Sequence, residues 1–142
     1  MTIKSVGILG SGIMGSGIAE VAAKTGHEVV LRSRKQETAD AMVASLTKSL
    51  AKQVERGKLS EEDRDAVLSR VTATDHIGAV ADCDLVIESI AERLDWMRDL
   101  YATIAPHLAP NAILASNTSG LSLAALSDAV PAALRPRFCG IH

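Results

Sequence analysis

Aromatic residues are nearly missing: Trp96, Tyr101 and Phe138 are one of each kind in 142 residues. A core built from this chain is therefore aliphatic. Cysteine is as sparse, with Cys83 and Cys139 alone, far apart and without metal-type spacing. Each reads as a buried thiol in a reducing compartment, which places the protein in the cytoplasm. There is no excess of charge of either sign: the formal net charge is -2, so neither nucleic acid nor an anionic membrane is an expected partner. No apolar run approaches the roughly 20 residues of a membrane helix. The start, "MTIKSVGILG", lacks a signal-peptide layout, since Lys4 leads only into a short apolar strand and then glycines. His27, His76 and His107 fall at element ends or in loops, again without ligand spacing, so no metal is expected.

What is present is 47% apolar residues, enough for one compact domain with a real core. "IKSVGIL" (3–9) reads as a buried strand, followed by glycines at 10, 12, 15 and 17. "IMGSGIAEVAAKTG" reads as a helix stopped by Gly26, and "HEVVLRS" as a second strand. From about 36 to 56, Met42, Val43, Leu46, Leu50 and Val54 mark one face of a long helix. Ser60 caps a second helix whose first turn carries Glu61, Glu62 and Asp63. "VTAT" and "CDLVIES" read as strands, and Leu94 through Leu108 as a helix. "NAILASN" and "RFCGIH" read as the last two strands. Alternating strands and helices predict a doubly wound α/β domain: a mostly parallel sheet with helices on both faces, and a helical pair (36–69) projecting after the second strand.

Gly10-Ser11-Gly12-Ile13-Met14-Gly15 is G-x-G-x-x-G between a strand and a helix, which is the Rossmann dinucleotide fingerprint. Gly10 permits the tight turn, Gly12 lets the backbone approach a pyrophosphate, and Gly15 lets the helix pack on the strand. Free N–H groups at the helix start face the phosphates. The alternative is a merely structural turn.

The second strand of an NAD site ends in an acid that accepts the adenosine ribose hydroxyls. Here that position is Ser33, flanked by Arg32 and Arg34. No carboxylate repels a 2′-phosphate, and two guanidinium groups are at hand to bind one. NADP(H) is therefore the expected cofactor, with NAD(H) as the alternative should the arginines be only a solvated loop.

"VGILGSGIMGSGIAEVAA", "RGKLSEEDRDAVLSRV", "DLVIESIAE", "ILASNTSGLS" and "RFCGIH" together resemble the 3-hydroxyacyl-CoA dehydrogenases, in particular the short bacterial 3-hydroxybutyryl-CoA type. The resemblance runs along the whole chain. It implies hydride exchange between a 3-hydroxyacyl thioester and a nicotinamide. It also implies that these residues are the dinucleotide-binding domain of a longer, homodimeric protein whose helical C-terminal domain covers the acyl-CoA substrate. Gly140-Ile141-His142 matches the stretch carrying the family's catalytic histidine, a general base. Ser119 matches the serine that reaches substrate and nicotinamide together, with Asn117 shaping the same loop. Glu92 and the backbone of Ala91 match contacts to the nicotinamide ribose. Met97 stands where the family often has a cofactor-binding lysine. Ser49 and Arg56 match positions that meet the CoA, and with Lys52 they share a helical face, though a solvated face explains that spacing equally. Trp96 and Tyr101 read as packing residues, and Ser116, Thr118 and Ser122 as turn formers. Two rival readings are a dehydrogenase acting on carrier-protein-bound acyl groups and a non-catalytic dinucleotide-binding module.

Overall fold

The computed structural model describes residues 2–10 and 12–142. Strand β1 (Ser5–Leu9) leads through the glycine loop into α1 (Ile13–Lys24) and then β2 (Glu28–Arg32). The helical pair is α2 (Gln36–Glu55) and α3 (Glu61–Ser69), followed by β3 (Val71–Thr74). The second half runs β4 (Leu85–Glu88), α4 (Leu94–Ile104), β5 (Ile113–Ser116), α5 (Leu123–Ala129) and β6 (Phe138–Gly140).

All six strands are parallel, in the order β3-β2-β1-β4-β5-β6. The chain works outward from β1 to β3, then returns to start again at β4. The reversal lies between β1 and β4, and a doubly wound sheet binds its ligand beyond the carboxyl ends of the strands at that point. Two adjacent residues show the register there: Gly10 N–H donates to the Arg32 carbonyl at 3.0 Å, and Ser89 N–H to the Leu9 carbonyl at 2.8 Å.

Side chains alternate between two aliphatic cores. Val6, Ile8, Leu31, Ile87 and Ala115 point toward α1 and α2, where Met42, Leu46 and Leu50 meet them. Leu9, Val86 and Leu114 point the other way, onto Met97, Tyr101 and Leu126. The 20 residues of α2 extend about 30 Å, against about 17 Å for a five-residue strand, so the helical pair does outrun the sheet. The Ser60 hydroxyl accepts the Asp63 N–H at 3.0 Å, as its capping role requires.

One helix goes unread in the sequence, and two of its readings change. Residues 123–129 form a helix, capped by Ser122, whose hydroxyl accepts the Ala125 N–H at 3.4 Å. Seven residues are too few to display helical periodicity. Ser116 is the fully buried end of β5 as well as a turn former, its hydroxyl accepting the Thr118 N–H. Cys83 is buried, and burial with Asp84 and Asp82 nearby pushes its thiol up to about 11, but Cys139 is exposed. The reason is that β6 is the edge strand. An open apolar groove lies on the α1 side of the sheet, between Val6, Leu85 and Ile87 and the helix residues Met14, Ile18 and Val21. Among the described residues no helix is long and apolar enough to cross a membrane, and no group of three or more acidic, His or Cys side chains is placed to hold a metal ion.

Candidate functional site

Three segments meet at the carboxyl edge of the sheet. The first is the glycine loop. Gly10 has φ +121°, and a side chain there would run into the backbone of Ser89, whose carbonyl carbon would lie 2.7 Å from the new Cβ. Gly15 is buried, and a Cβ on it would stand 3.3 Å from Met42 Cε and 3.4 Å from the Gly10 carbonyl oxygen. Gly12 is the N-cap of α1, and among the described residues no side chain caps that helix end, so its first N–H groups suit a ligand. Both features fit a pyrophosphate. Ile13 and Met14 are exposed at the mouth of the loop. Ser11 lies outside the described residues.

The second segment follows β2. Ser33 is buried, and its N–H donates to the Thr74 carbonyl at 3.1 Å. Arg32 is half-buried, with Nε donating to the Asp75 carbonyl at 3.2 Å. Burial lowers its guanidinium from the ordinary value and the neighbouring Arg34 charge lowers it further, while Asp75 opposes both. Arg34 is exposed and turns toward α4, with its guanidinium carbon 5.6 Å from the centre of the Trp96 ring. The two arginines thus share one loop, but one is tied to the end of β3 and the other is exposed beside Trp96.

The third segment joins the loops after β4 and β5, and Glu88 holds them. Its carboxylate is 1% exposed. One oxygen accepts the Tyr101 hydroxyl at 2.6 Å and the Ser116 hydroxyl at 2.8 Å. The other accepts the Ile90 N–H at 3.1 Å. Ser116 Oγ in turn accepts the Thr118 N–H at 3.3 Å. A single buried acid therefore ties down the start of both loops. Tyr101 packs, as expected, but also carries a polar duty; burial and Glu88 push its hydroxyl pKa upward. This frame is not among the sequence-derived site residues. Its signal was an acid inside the apolar run "DLVIES", at a place where burial demands partners.

Above that frame, Glu92 closes the loop around Ser119. Glu92 Oε1 accepts the Ser119 N–H at 2.9 Å, the Gly120 N–H at 3.0 Å and the Thr118 hydroxyl at 3.1 Å, with Ser119 Oγ at 3.4 Å. Those donors, the backbone ones first, hold its carboxyl below the ordinary 4.5. The stabilisation is thus complete above the usual carboxylate range and lost as pH falls through the lowered value. We expect hydrogen-exchange protection of the Ser119 and Gly120 amides to be flat above about pH 5 and to fall below 4.5. In Glu92→Gln that pH dependence should vanish; protection that ignores pH in the parent chain would remove Glu92 as the clasp.

Asn117 N–H donates to the Glu88 carbonyl at 2.9 Å, and its amide reaches Ser89 Oγ at 3.5 Å. Ala91 accepts the Arg93 N–H at 2.7 Å in the exposed turn beside Glu92. Gly140 pairs with Ser116, Ile141 N–H donates to the Ser116 carbonyl at 2.9 Å, and His142 follows, exposed, at the same edge as the Ser119 loop. Met97 is fully buried and presents nothing to a cofactor.

Residues 5–142 match the sequence profile described as 3-hydroxyacyl-CoA dehydrogenase, NAD binding domain. The chain belongs to that family. It is 40% identical over 141 residues to a 3-hydroxybutyryl-CoA dehydrogenase of Bradyrhizobium diazoefficiens, covering 99% of this chain and 47% of the relative. Among solved structures, 3-hydroxybutyryl-CoA dehydrogenase from Escherichia coli K12 superposes with a TM-score of 0.94 at 36% identity, over 100% of this chain and 30% of that one. The (S)-3-hydroxybutyryl-CoA dehydrogenase of Ralstonia eutropha gives 0.93 at 33% identity, over 99% and 49%. The chain thus spans about half the length of the B. diazoefficiens and R. eutropha relatives, and less of the E. coli one. The Rossmann reading and the nicotinamide dinucleotide both stand on this family.

Ser49 and Arg56 lie apart from the edge just described. Ser49 Oγ donates to Glu20 of α1 at 3.3 Å, within a network that includes Gln53 and Lys24. Arg56 is the exposed C-cap of α2. Ser49 is turned toward α1 in this arrangement, while Lys52 and Arg56 are exposed.

Proposed function

We propose that this chain is the dinucleotide-binding half of an NADP(H)-preferring 3-hydroxyacyl-CoA dehydrogenase acting on short acyl thioesters. The observation that carries the reading is the convergence of the glycine loop, the Glu92–Ser119 clasp and His142 on one edge of the sheet. A pure binding module needs the first of these but neither the serine nor the histidine. When bound, the nicotinamide supplies the hydride donor or acceptor. The loop 10–15 holds the pyrophosphate, Ser119 positions the 3-oxygen of the substrate, and His142 takes the proton of the 3-hydroxyl. The absent acid at Ser33 and the two adjacent arginines favour NADP(H) over NAD(H). A CoA thioester is preferred to a carrier-bound one on the relatives' names, with Lys52 and Arg56 as the exposed basic groups for its phosphates and Ser49 available to it only on leaving Glu20.

The relatives' greater length leaves room for a second domain, which would cover the substrate and pair the subunits as a homodimer. The bare apolar groove beside α1 suits such a cover. The expected result is that the 142-residue chain binds cofactor with negligible turnover, while a chain extended to the relatives' length reduces acetoacetyl-CoA. Equal specific activity in both would overturn this division of labour. No turnover in the extended chain with either cofactor would leave the binding module standing.

A further inference from the structure

Trp96 departs from its expected packing role. It is 41% exposed and is the one tryptophan of the chain. Two cations from different loops converge on it. Arg93, at the start of α4, places its guanidinium carbon 4.2 Å from the ring centre, and Arg34, beyond β2, lies at 5.6 Å. Both distances are within the range of a cation–π contact. Strands β2 and β4 flank β1 in the sheet, so this stack reaches across the carboxyl end of β1, where the glycine loop begins.

A doubly wound sheet binds a dinucleotide as two mononucleotides, one on each half, with the ribose on the end of β2 belonging to the adenosine. Glu92, Ser119 and His142 occupy the other half. The stack sits at the adenosine end, because Arg34 follows Ser33 by one residue. A half-exposed indole with two planar guanidinium groups beside it is a surface for a flat π system, and base-on-aromatic stacking is a strong, base-tolerant interaction.

We propose that Trp96, with Arg34 and Arg93, is the purine-stacking platform of the cofactor site. Arg34 then serves two groups at once, the base through its face and the 2′-phosphate through its edge. The proposal rests on the dinucleotide reading above but does not depend on NADP(H) over NAD(H).

The test uses the chain itself with 5′-ADP, adenosine 2′,5′-bisphosphate and nicotinamide mononucleotide. Both adenine nucleotides should change the indole emission, and nicotinamide mononucleotide should not. By calorimetry, Trp96→Leu should weaken both adenine nucleotides by roughly tenfold or more, and Trp96→Phe should recover most of the loss. Adenine nucleotides that bind with unchanged emission, and as tightly to Trp96→Leu as to the parent chain, would overturn the platform. If the two bind alike and both depend on Trp96, the platform stands and the NADP(H) preference falls. If neither binds, the dinucleotide reading falls and takes the platform with it.

Discussion

His142→Ala, in a chain extended to the length of its relatives, should lower turnover by ~10²-fold or more while leaving cofactor affinity nearly unchanged. The expectation comes from separation within the site. On the proposed reading the phosphates belong to the loop 10–15 and the adenosine to the end of β2, whereas His142 lies beyond β6, the third strand past the reversal point. In that proposal His142 meets the cofactor through the reacting carbon. In the oxidising direction the imidazole must be neutral to take the hydroxyl proton, and in the reducing direction it must carry the proton it gives. The loss should therefore appear in both directions, and His142→Gln, which can donate a hydrogen bond but not relay a proton, should not restore the rate. Near-normal turnover would remove His142 from the chemistry. A large loss of cofactor affinity instead would make it a positioning residue.

The parts of the site that sequence made legible are those where backbone geometry dictates residue type. Gly10 needs a left-handed φ, Gly15 needs the absence of a side chain against Met42, and both sit between a strand and a helix whose patterns are plain. The first half of the fold was readable for the same reason. What stayed hidden was decided by the packing of one loop on another. The apolar run around Glu88 signals a buried acid, but its partners Tyr101 and Ser116, 13 and 28 residues away, are set only by the packing that brings them over it. Helix α5 was too short to show a period. The exposure of Cys139 depends on β6 having no neighbour beyond it. Trp96 could have been found: Leu94, Met97, Tyr101 and Ile104 define the buried stripe of α4, and Trp96 is not on it.

The cofactor preference should invert under two substitutions at the end of β2. Ser33 stands where an NAD site carries the acid for the adenosine ribose, and its backbone is pinned by the Thr74 carbonyl, so a carboxylate placed there inherits a defined direction. Ser33→Asp should restore the acceptor for the ribose hydroxyls and repel a 2′-phosphate. Arg34→Ala should remove a charge-assisted contact worth about 1.5–3 kcal/mol, a loss of roughly tenfold to a hundredfold in NADPH affinity. Arg32 is the weaker lever, because its Nε is already committed to the Asp75 carbonyl. In the parent chain NADPH should bind more tightly than NADH, with a gap that narrows as salt rises and the exposed Arg34 is screened. The double substitution should favour NADH, since each change acts on a different part of the same phosphate site and both act against it. The ratio of the two affinities is the quantity to read, because a carboxylate at a buried position also costs stability and lowers both affinities together. An NADH affinity equal to or above that of NADPH in the parent chain at low salt would make Arg32 and Arg34 a solvated loop and the cofactor NAD(H).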